Sequence, residues 1–305
     1  MGKINASLEG ALVSINGVLT PPEEAVISIF DRGFLYGDSI YEVTLTYDGT
    51  PFLLKDHLDR LWRSAQGIGL EISWSRQKLR EFIYDGLNKV DYDRAYIRII
   101  ITRGGGDIGL DPSLSEGQNL IIIFRELKPY PQKWYDEGVS LIVTEVVRTP
   151  KKSMDPNIKS GNYLNNVMAL KQAKEAGAYD AIMLNHKGQV TESTSANIWM
   201  VLGDSYITPP LDAGLLGGIT RQRLLEIGTS AGLKVKEENF TADTLRIAQE
   251  VFITSSTREI LPITKIDGQP VGDGKPGTYT KKLHQLYKNK IKETIEEERK
   301  LNSGK

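Results

Sequence analysis

The chain contains no cysteine and only three histidines among its 305 residues. The lack of cysteine excludes disulfides, zinc–thiolate sites, iron–sulfur clusters and cysteine nucleophiles. The histidines, His57, His186 and His284, do not have the spacing of metal ligands, so no metal site is predicted. Long apolar runs are missing as well. The longest, such as IRIIIT and LIIIF, have the length of a β-strand rather than of a membrane span.

An excess of charge of one sign is also absent. The formal net charge is −1, which gives no electrostatic reason to expect nucleic acid or an anionic membrane as the main partner. Hydrophobic residues make up 40% and charged residues 25% of the chain, an ordinary balance for a globular protein with a substantial core. The opening MGKINASLEG has no apolar signal segment. We therefore expect a soluble, cytoplasmic protein.

Turn residues and apolar periodicity predict an α+β fold in two domains. Asx-Gly pairs at 16–17 and 48–49 indicate β-hairpins, and helical spacing follows in KDHLDRLW and SRQKLREF. We predict a small N-terminal α+β domain over 1–126, a Pro-rich linker over 127–137 and a larger domain over 138–305. The larger domain is expected to combine a largely antiparallel, barrel-like sheet with helices. Its charged C-terminal helix is expected to be solvated and amphipathic, and to fray at its end.

Lys159 stands in PNIKSGNYLNN, on a turn that is rich in small and amide residues. The distinctive chemistry of a neutral lysine amine is imine formation with an aldehyde. Tyr163 lies four residues later at the start of a predicted helix, where a phenol could hydrogen-bond a ring oxygen beside an imine. Taken singly, the two residues are better explained as a surface lysine and a core tyrosine.

Three further segments contain groups that suit an anionic or cationic ligand. Glu192 comes after a predicted strand, where its carboxylate could pair with a cationic ring nitrogen. LLGGITRQRLL places two glycines at the start of a predicted helix with Thr220 in the first turn, the arrangement of an anion site. Ser256 in ITSSTREI could extend that site, and Arg60 in HLDRL could supply a cation. Each also has an ordinary structural explanation. Together they fit pyridoxal 5′-phosphate, which has an aldehyde, a ring nitrogen and a phosphate.

The chain resembles the class IV, or fold-type IV, aminotransferases over about residues 11–285. The resemblance rests on FDRGFLYGDSIYE, HLDRL, YIR followed by TRGGGDIGLDP, IKSGNYLNN, AIMLNHKGQVTESTSANI, ITPPLDAGLLGGITR and ITSSTREILPI, in that order. It implies a homodimer whose chains each have a small α/β domain and a larger, barrel-like cofactor-binding domain. The active sites would lie at the domain interface and be partly closed by loops of the neighbouring subunit.

The resemblance also implies a role for individual residues. Lys159 would be the Schiff-base lysine and acid/base, Glu192 the partner of the pyridine nitrogen, and Tyr163 a contact of the phenolic oxygen. Phosphate contacts are expected from Arg60, Ile219 (through its backbone), Thr220 and Ser256. Substrate contacts are expected from Tyr36, Tyr41, Tyr96, Arg98, Leu110 and Thr257.

The substrate specificity rests on a few positions. Tyr96, Arg98 and the loop GLDP resemble branched-chain aminotransferases, which predicts transfer of an amino group from a branched-chain L-amino acid to 2-oxoglutarate. Val43 and Leu45 depart from that pattern and resemble D-amino acid and (R)-amine transaminases. Aminodeoxychorismate lyase is a further alternative on the same scaffold. A phosphate-ligand binding protein without chemistry is the non-enzyme alternative.

Overall fold

The computed structural model describes residues 10–303 of the chain, and side chains through Lys300. Residues 1–9, which carry the expectation about a signal segment, lie outside this range. The chain divides into two units. The first contains the chain up to Lys128 together with Ile158–Asn162 and the residues from Thr294 onward, and the second contains Pro129–Asn157 and Tyr163–Glu293. The boundaries predicted near 126 and 138 treat each domain as one continuous stretch, and they stay a prediction.

The first unit is built on a six-stranded antiparallel sheet. Its elements are β1 (Leu12–Ile15), β2 (Val18–Thr20), α1 (Arg32–Tyr36), β3 (Ser39–Tyr47), β4 (Thr50–Pro51), α2 (Leu54–Gly67), α3 (Arg76–Leu87), β5 (Ala95–Thr102) and β6 (Asn119–Glu126). The strand order is β2-β1-β6-β5-β3-β4. The two predicted hairpins are confirmed, since Asn16-Gly17 and Asp48-Gly49 join antiparallel strands with positive φ at all four residues.

Strand alternation in this sheet separates the face that packs against α2 and α3 from a second face. Ile97, Ile99 and Ile101 of β5 are fully buried in a core that also contains apolar residues of α2 and α3. Because successive side chains of a strand point to opposite faces, Tyr96 and Arg98 lie on the other side of the sheet. The predicted substrate residues of β5 therefore occupy the face that α2 and α3 do not cover.

The second unit combines a mixed nine-stranded sheet with helices. Its elements are α4 (Lys133–Asp136), β7 (Val139–Val143), α5 (Leu164–Glu175), β8 (Asp180–Leu184), β9 (Val190–Ser193), β10 (Asn197–Leu202), β11 (Ser205–Thr208), α6 (Ile219–Ser230), β12 (Lys234–Glu237), α7 (Ala242–Arg246), β13 (Glu250–Ser255), β14 (Glu259–Ile266), β15 (Gln269–Pro270) and α8 (Thr278–Ser303). Most neighbouring strands are antiparallel, whereas β7 runs parallel to both β8 and β14, and β12 runs parallel to β11. The predicted α+β class is confirmed.

Helix α8 differs from the expected solvated tail. Leu283, Tyr287, Ile291 and Ile295 are buried, and their spacing of four residues forms one apolar stripe along the helix. The helix extends to Ser303, and the fraying predicted for its last residues stays a prediction. Within residues 10–303, no helix combines the length and the apolar character needed to cross a membrane.

Candidate functional site

The segment that carries Lys159 lies beside β3 and pairs with it through an isolated antiparallel bridge between Ile40 and Ser160. The Lys159 N–H donates to Ser64 Oγ at 3.0 Å, and its carbonyl accepts from the Tyr41 N–H at 2.9 Å. The Gly161 N–H donates to the Ser39 carbonyl at 2.8 Å. A Cβ on Gly161 would lie 2.3 Å from Ser39 Oγ, so this close pairing requires glycine. Because Lys159 lies in this non-helical segment and α5 begins only at residue 164, helical spacing does not relate Lys159 to Tyr163.

The Lys159 amine lies over Tyr41, on the face of the first sheet opposite α2. Its Nζ is 3.2 Å from Tyr41 Oη and 4.3 Å from the centre of the Tyr41 ring. The Arg98 guanidinium carbon lies 4.1 Å from the centre of the same ring. Strand register pairs Val43 with Arg98 and Leu45 with Tyr96, so these four residues and Tyr41 share one face. The structure thus brings three predicted substrate residues together with Lys159.

Arg60 lies on the α2 side of β3, where Glu42 holds its guanidinium. Nε donates to Glu42 Oε1 at 2.6 Å and Nη2 donates to Glu42 Oε2 at 2.8 Å, a two-bond pairing of planar groups. His57 Nδ1 lies 2.7 Å from Glu42 Oε2. All three side chains are buried. Ser64, which holds the Lys159 N–H, lies one helical turn after Arg60 on α2.

Burial and charge set the protonation of this cluster. Burial disfavours the charged form of Glu42, but the positive charge of Arg60 and hydrogen bonds from Arg60 and His57 hold the pKa of Glu42 far below its usual range. Burial lowers the pKa of His57, although Glu42 opposes this effect. Glu42 is therefore ionised at neutral pH. Neutral His57 donates from Nδ1, since an ionised carboxylate can only accept.

Tyr36, the last residue of α1, lies next to the loop that contains Leu110, and Arg32 fixes the backbone of that loop. Arg32, itself buried, donates to the carbonyls of Gly109 and Leu110 at 2.8 and 3.1 Å. Tyr36 Oη accepts from the Gly109 N–H at 3.2 Å. The Leu110 side chain is 82% exposed, so in the single chain the backbone of this loop is anchored while its apolar side chain faces outwards.

Glu192 is the centre of a second buried cluster, in the second unit. It lies within β9 rather than after it, and it is 5% exposed. Arg148 contacts Glu192 Oε1 through Nε and Nη2, both at 3.1 Å. Asn197 Nδ2 and the Leu216 N–H donate to Glu192 Oε2 at 3.3 and 3.2 Å. Donors from three separate segments therefore fix the plane of one carboxylate.

The predicted anion site forms the start of α6, next to the Glu192 cluster. The helix begins at Ile219 with Gly218 as its N-cap, and Ile219 and Thr220 are buried in its first turn. A Cβ on Gly218 would lie 1.9 Å from Asn197 Oδ1, so only glycine allows this approach. First-turn N–H groups have no acceptor within their own helix, which makes them available to an anion.

Ser256, Thr257 and Tyr163 occupy turns of the second unit. Ser256 and Thr257 lie in the turn between β13 and β14, as the sequence predicts. Tyr163 is the N-cap residue of α5. Asn166, in the first turn of that helix, donates to the Thr194 carbonyl at 2.8 Å, which ties α5 to the residues that follow Glu192.

Sequence reasoning missed Glu42, His57, Arg148 and Asn197. One signal was available for the first two. His57, Arg60 and Ser64 form a polar stripe at spacings of three and four residues beside the apolar residues of α2, and buried polar side chains need partners. Arg148 and Asn197 have no comparable signal, because their pairing with Glu192 depends on how distant strands meet. Within residues 10–303, no three His, Asp or Glu side chains cluster in a way that would hold a metal ion.

Comparison with known proteins yields consistent similarities. The family model described as amino-transferase class IV matches residues 39–266. A putative branched-chain-amino-acid aminotransferase of Methanocaldococcus jannaschii is 36% identical over 277 residues, covering 91% of this chain and 95% of that protein. A D-alanine aminotransferase of Bacillus licheniformis is 35% identical over 285 residues, covering 92% and 96%. The solved branched-chain amino acid aminotransferase of Escherichia coli superposes with a TM-score of 0.87 at 27% identity, covering 91% and 93%.

Proposed function

The chain belongs to the class IV aminotransferase family, and on that premise we propose that it transfers an amino group from a branched-chain L-amino acid to 2-oxoglutarate, with pyridoxal 5′-phosphate as cofactor. One observation carries the substrate proposal. The Lys159 amine and the Arg98 guanidinium both lie within 4.3 Å of the centre of the Tyr41 ring. In an amino acid the reacting Cα is bonded directly to the carboxylate. A lysine that acts on Cα and an arginine that binds the carboxylate must therefore lie close together, as Lys159 and Arg98 do at the Tyr41 ring.

The apolar residues around this ring suit a branched side chain. Val43 and Leu45 lie on the same sheet face as Arg98, and Leu45 is 1% exposed. We propose that this face receives the side chain of the donor, with Tyr36, Tyr96 and Leu110 as further contacts. The Thr257 N–H would bind the substrate carboxylate. An apolar wall favours leucine, isoleucine or valine over polar donors because it gains from burying their methyl groups.

The residues present fit pyridoxal 5′-phosphate. Glu192 is a buried carboxylate fixed by hydrogen bonds and paired with a cation, and it suits a protonated ring nitrogen. Gly218 has no side chain, so it leaves the N–H groups at the start of α6 accessible to a phosphate. Ile219, Thr220 and Ser256 would contact that phosphate. We propose that Arg60, oriented by Glu42, also binds the phosphate, and that Tyr163 binds the phenolic oxygen. Most of these contacts come from residues 138–305, the predicted cofactor-binding domain.

Lys159 would carry the proton transfers. When bound, pyridoxal 5′-phosphate supplies an aldehyde that links to amines and a ring that withdraws electrons from the neighbouring carbon. Lys159 Nζ, once the donor amine has replaced it, accepts the proton from the substrate Cα. Tyr41 Oη, 3.2 Å from Nζ, orients the amine for this transfer. A 2-oxo acid then receives the amino group in a second half-reaction, which makes the kinetics ping-pong.

A D-amino acid or (R)-amine donor is the second candidate. Val43 and Leu45 favour it, and the identity to the D-alanine aminotransferase of Bacillus licheniformis is close to that of the branched-chain relative. A donor screen with 2-oxoglutarate separates the candidates. The visible absorbance band of the holoenzyme should disappear with L-leucine or L-valine. A band that responds only to D-alanine or an (R)-amine would refute the branched-chain proposal.

Lys159→Ala tests the mechanism. We expect the rate of transamination to fall by about 10⁴-fold or more, since general acid–base catalysis alone contributes up to that factor. Lys55→Ala is the matched control, because Lys55 is an exposed lysine paired with Asp59 on α2. Normal turnover by Lys159→Ala would contradict the proposed mechanism.

We also propose a homodimer that acts in the cytoplasm, where amino acids and 2-oxo acids are exchanged. Large apolar side chains are exposed in one stretch of the first unit and in its loop: Val26 (75%), Ile29 (67%), Phe34 (67%), Ile108 (71%) and Leu110 (82%). Exposed apolar side chains at this density are typical of an interface. Light scattering should give twice the mass of the chain, and cell fractionation tests the location.

A further inference from the structure

Arg148 stands out because it directs its charge at the one carboxylate that is proposed to face the cofactor ring. Its Nε and Nη2 contact the same oxygen, Glu192 Oε1, while Glu192 Oε2 accepts from Asn197 and from the Leu216 N–H. The side chains of Arg148 and Glu192 are 12% and 7% exposed. Water therefore weakens this pair far less than it weakens a surface ion pair.

The arrangement has a chemical consequence for Glu192. The guanidinium, the amide N–H₂ and the backbone N–H that contact its carboxyl group are all donors, and a protonated carboxyl would turn its own donor towards one of them. These neighbours favour the ionised form. An ionised carboxylate can only accept, so any ring nitrogen that bonds to Glu192 must carry the proton itself.

We propose that Arg148 is a positioning residue which keeps Glu192 ionised and in plane, and thereby keeps the proton on the cofactor's ring nitrogen. The inference rests on the proposed function. The guanidinium would also repel a protonated ring, but a ring nitrogen bonded to Glu192 would be nearer to the carboxylate than to Arg148, so the attraction would dominate. Electron withdrawal by the ring is strongest when its nitrogen is protonated, so Arg148 acts on the rate through Glu192.

The surroundings of Arg148 allow its side chain to be replaced. The Arg148 N–H donates to the Leu184 carbonyl at 2.8 Å, a backbone bond that any residue except proline retains. Its other titratable neighbours line a small cavity of about 70 Å³, namely Lys151, His186, Lys187 and Asp212. Asp180, the first residue of β8, accepts hydrogen bonds from the hydroxyl groups of Ser193 and Thr194.

The test measures the protonation of the ring nitrogen directly. Wild-type protein, Arg148→Met and Arg148→Lys are loaded with pyridoxal 5′-phosphate labelled with ¹⁵N in the ring, and the ¹⁵N chemical shift is followed from pH 6 to pH 9. We expect the wild-type nitrogen to stay protonated. In Arg148→Met, where Glu192 becomes more basic, the proton shared by the ring nitrogen and Glu192 should move to Glu192, so the ¹⁵N shift should approach that of a neutral ring across this range. Arg148→Lys keeps the charge but loses the planar guanidinium, and its ¹⁵N shift should lie between the two.

A cofactor analogue separates this role from a purely structural one. When the ring nitrogen is replaced by carbon, Glu192 has no ring proton to hold, so wild-type and Arg148→Met should turn over equally slowly. With the natural cofactor, kcat of Arg148→Met should fall by about 10–100-fold. This is the range seen when a residue that orients a metal-binding side chain is mutated. Arg246→Met is the control, because Arg246 forms exposed pairs with Asp243 and Asp267 in the same unit.

Two results would overturn the inference. One is a ring nitrogen in Arg148→Met that stays protonated as in wild type, and the other is an equal loss of kcat with both cofactors. If Arg148→Met does not fold, Arg148→Gln, which also removes the charge, takes its place in both measurements. A wild-type protein that binds no pyridoxal 5′-phosphate would refute the proposed function itself, and this inference with it.

Discussion

In each unit of the protein an arginine and a glutamate with little solvent exposure form an ion pair, and the two pairs are built differently. In the first unit, Arg60 bonds to both oxygens of Glu42 through two nitrogens. In the second, both nitrogens of Arg148 converge on one oxygen of Glu192, and amide groups bond to the other. We infer that in the first pair the glutamate positions the arginine for a ligand, whereas in the second the arginine positions the glutamate.

The difference indicates that an ion pair alone does not identify which partner contacts the ligand. The other hydrogen-bond donors around the carboxylate give that information. Glu42, which is fully buried, receives bonds only from Arg60, His57 and its own neighbour's N–H among the contacts described, and it behaves as an internal anchor. Glu192 lies beside the glycine-led start of α6, where we propose that a phosphate binds. Removing each glutamate should therefore have different effects.

Glu42→Gln should produce the largest loss of stability. It leaves the Arg60 guanidinium buried without its counter-charge, and breaking a buried pair in this way costs about 3–5 kcal/mol. Urea unfolding of the cofactor-free protein at pH 7 measures the loss. Glu81→Gln is the control, since Glu81 pairs with Lys78 on the surface and its loss should change the unfolding free energy little. Equal losses in the two variants would show that Glu42 is no internal anchor.

The sequence predicts local structure in this protein better than it predicts these pairs. The α6 helix begins at GGIT and ends at Ser230 as expected, because a glycine cap and apolar periodicity are local signals. Lys159 is identified by its setting in PNIKSGNYLNN, but its pairing with β3 involves residues more than a hundred positions away. Glu42 and Arg148 meet their partners only after strands and helices have packed, so no local pattern identifies those partners.

His57→Asn should have a smaller, pH-dependent effect. Burial lowers the pKa of His57, so the unfolded chain takes up a proton at a higher pH than the folded chain does. The stability that neutral His57 contributes is fully present above the ordinary pKa of 6.5 and is lost as the pH falls below that value. Asparagine keeps a donor for Glu42 but does not titrate.

Stability curves of wild type and His57→Asn should therefore converge as the pH falls from 7.5 to 5.5. At pH 7.5 the variant should be less stable by about 1 kcal/mol, because its smaller side chain leaves a partial cavity. His186→Asn replaces an exposed histidine and should leave the slope unchanged. A wild-type slope that persists in His57→Asn would assign the acid sensitivity to other groups and would leave His57 with a packing role only.

Glu298 provides the smallest effect and the sharpest contrast with Glu42, because burial prevails at this carboxyl. Burial raises the pKa of Glu298 to about 7, with Arg80 opposing the shift and Asp56 adding to it. The stability of the folded form is then greatest below the ordinary pKa of 4.5 and decreases as the pH rises through about 7.

Glu298→Gln should therefore raise the unfolding free energy at pH 8 by about 1 kcal/mol, a small value because the carboxyl is only half-buried and is screened by water. At pH 4.5 the two proteins should be equally stable. If Glu298→Gln instead destabilised the protein at pH 8, Glu298 would be stabilised by a bonded cation, as Glu42 is. That result would contradict the expectation that burial outweighs charge pairing at Glu298.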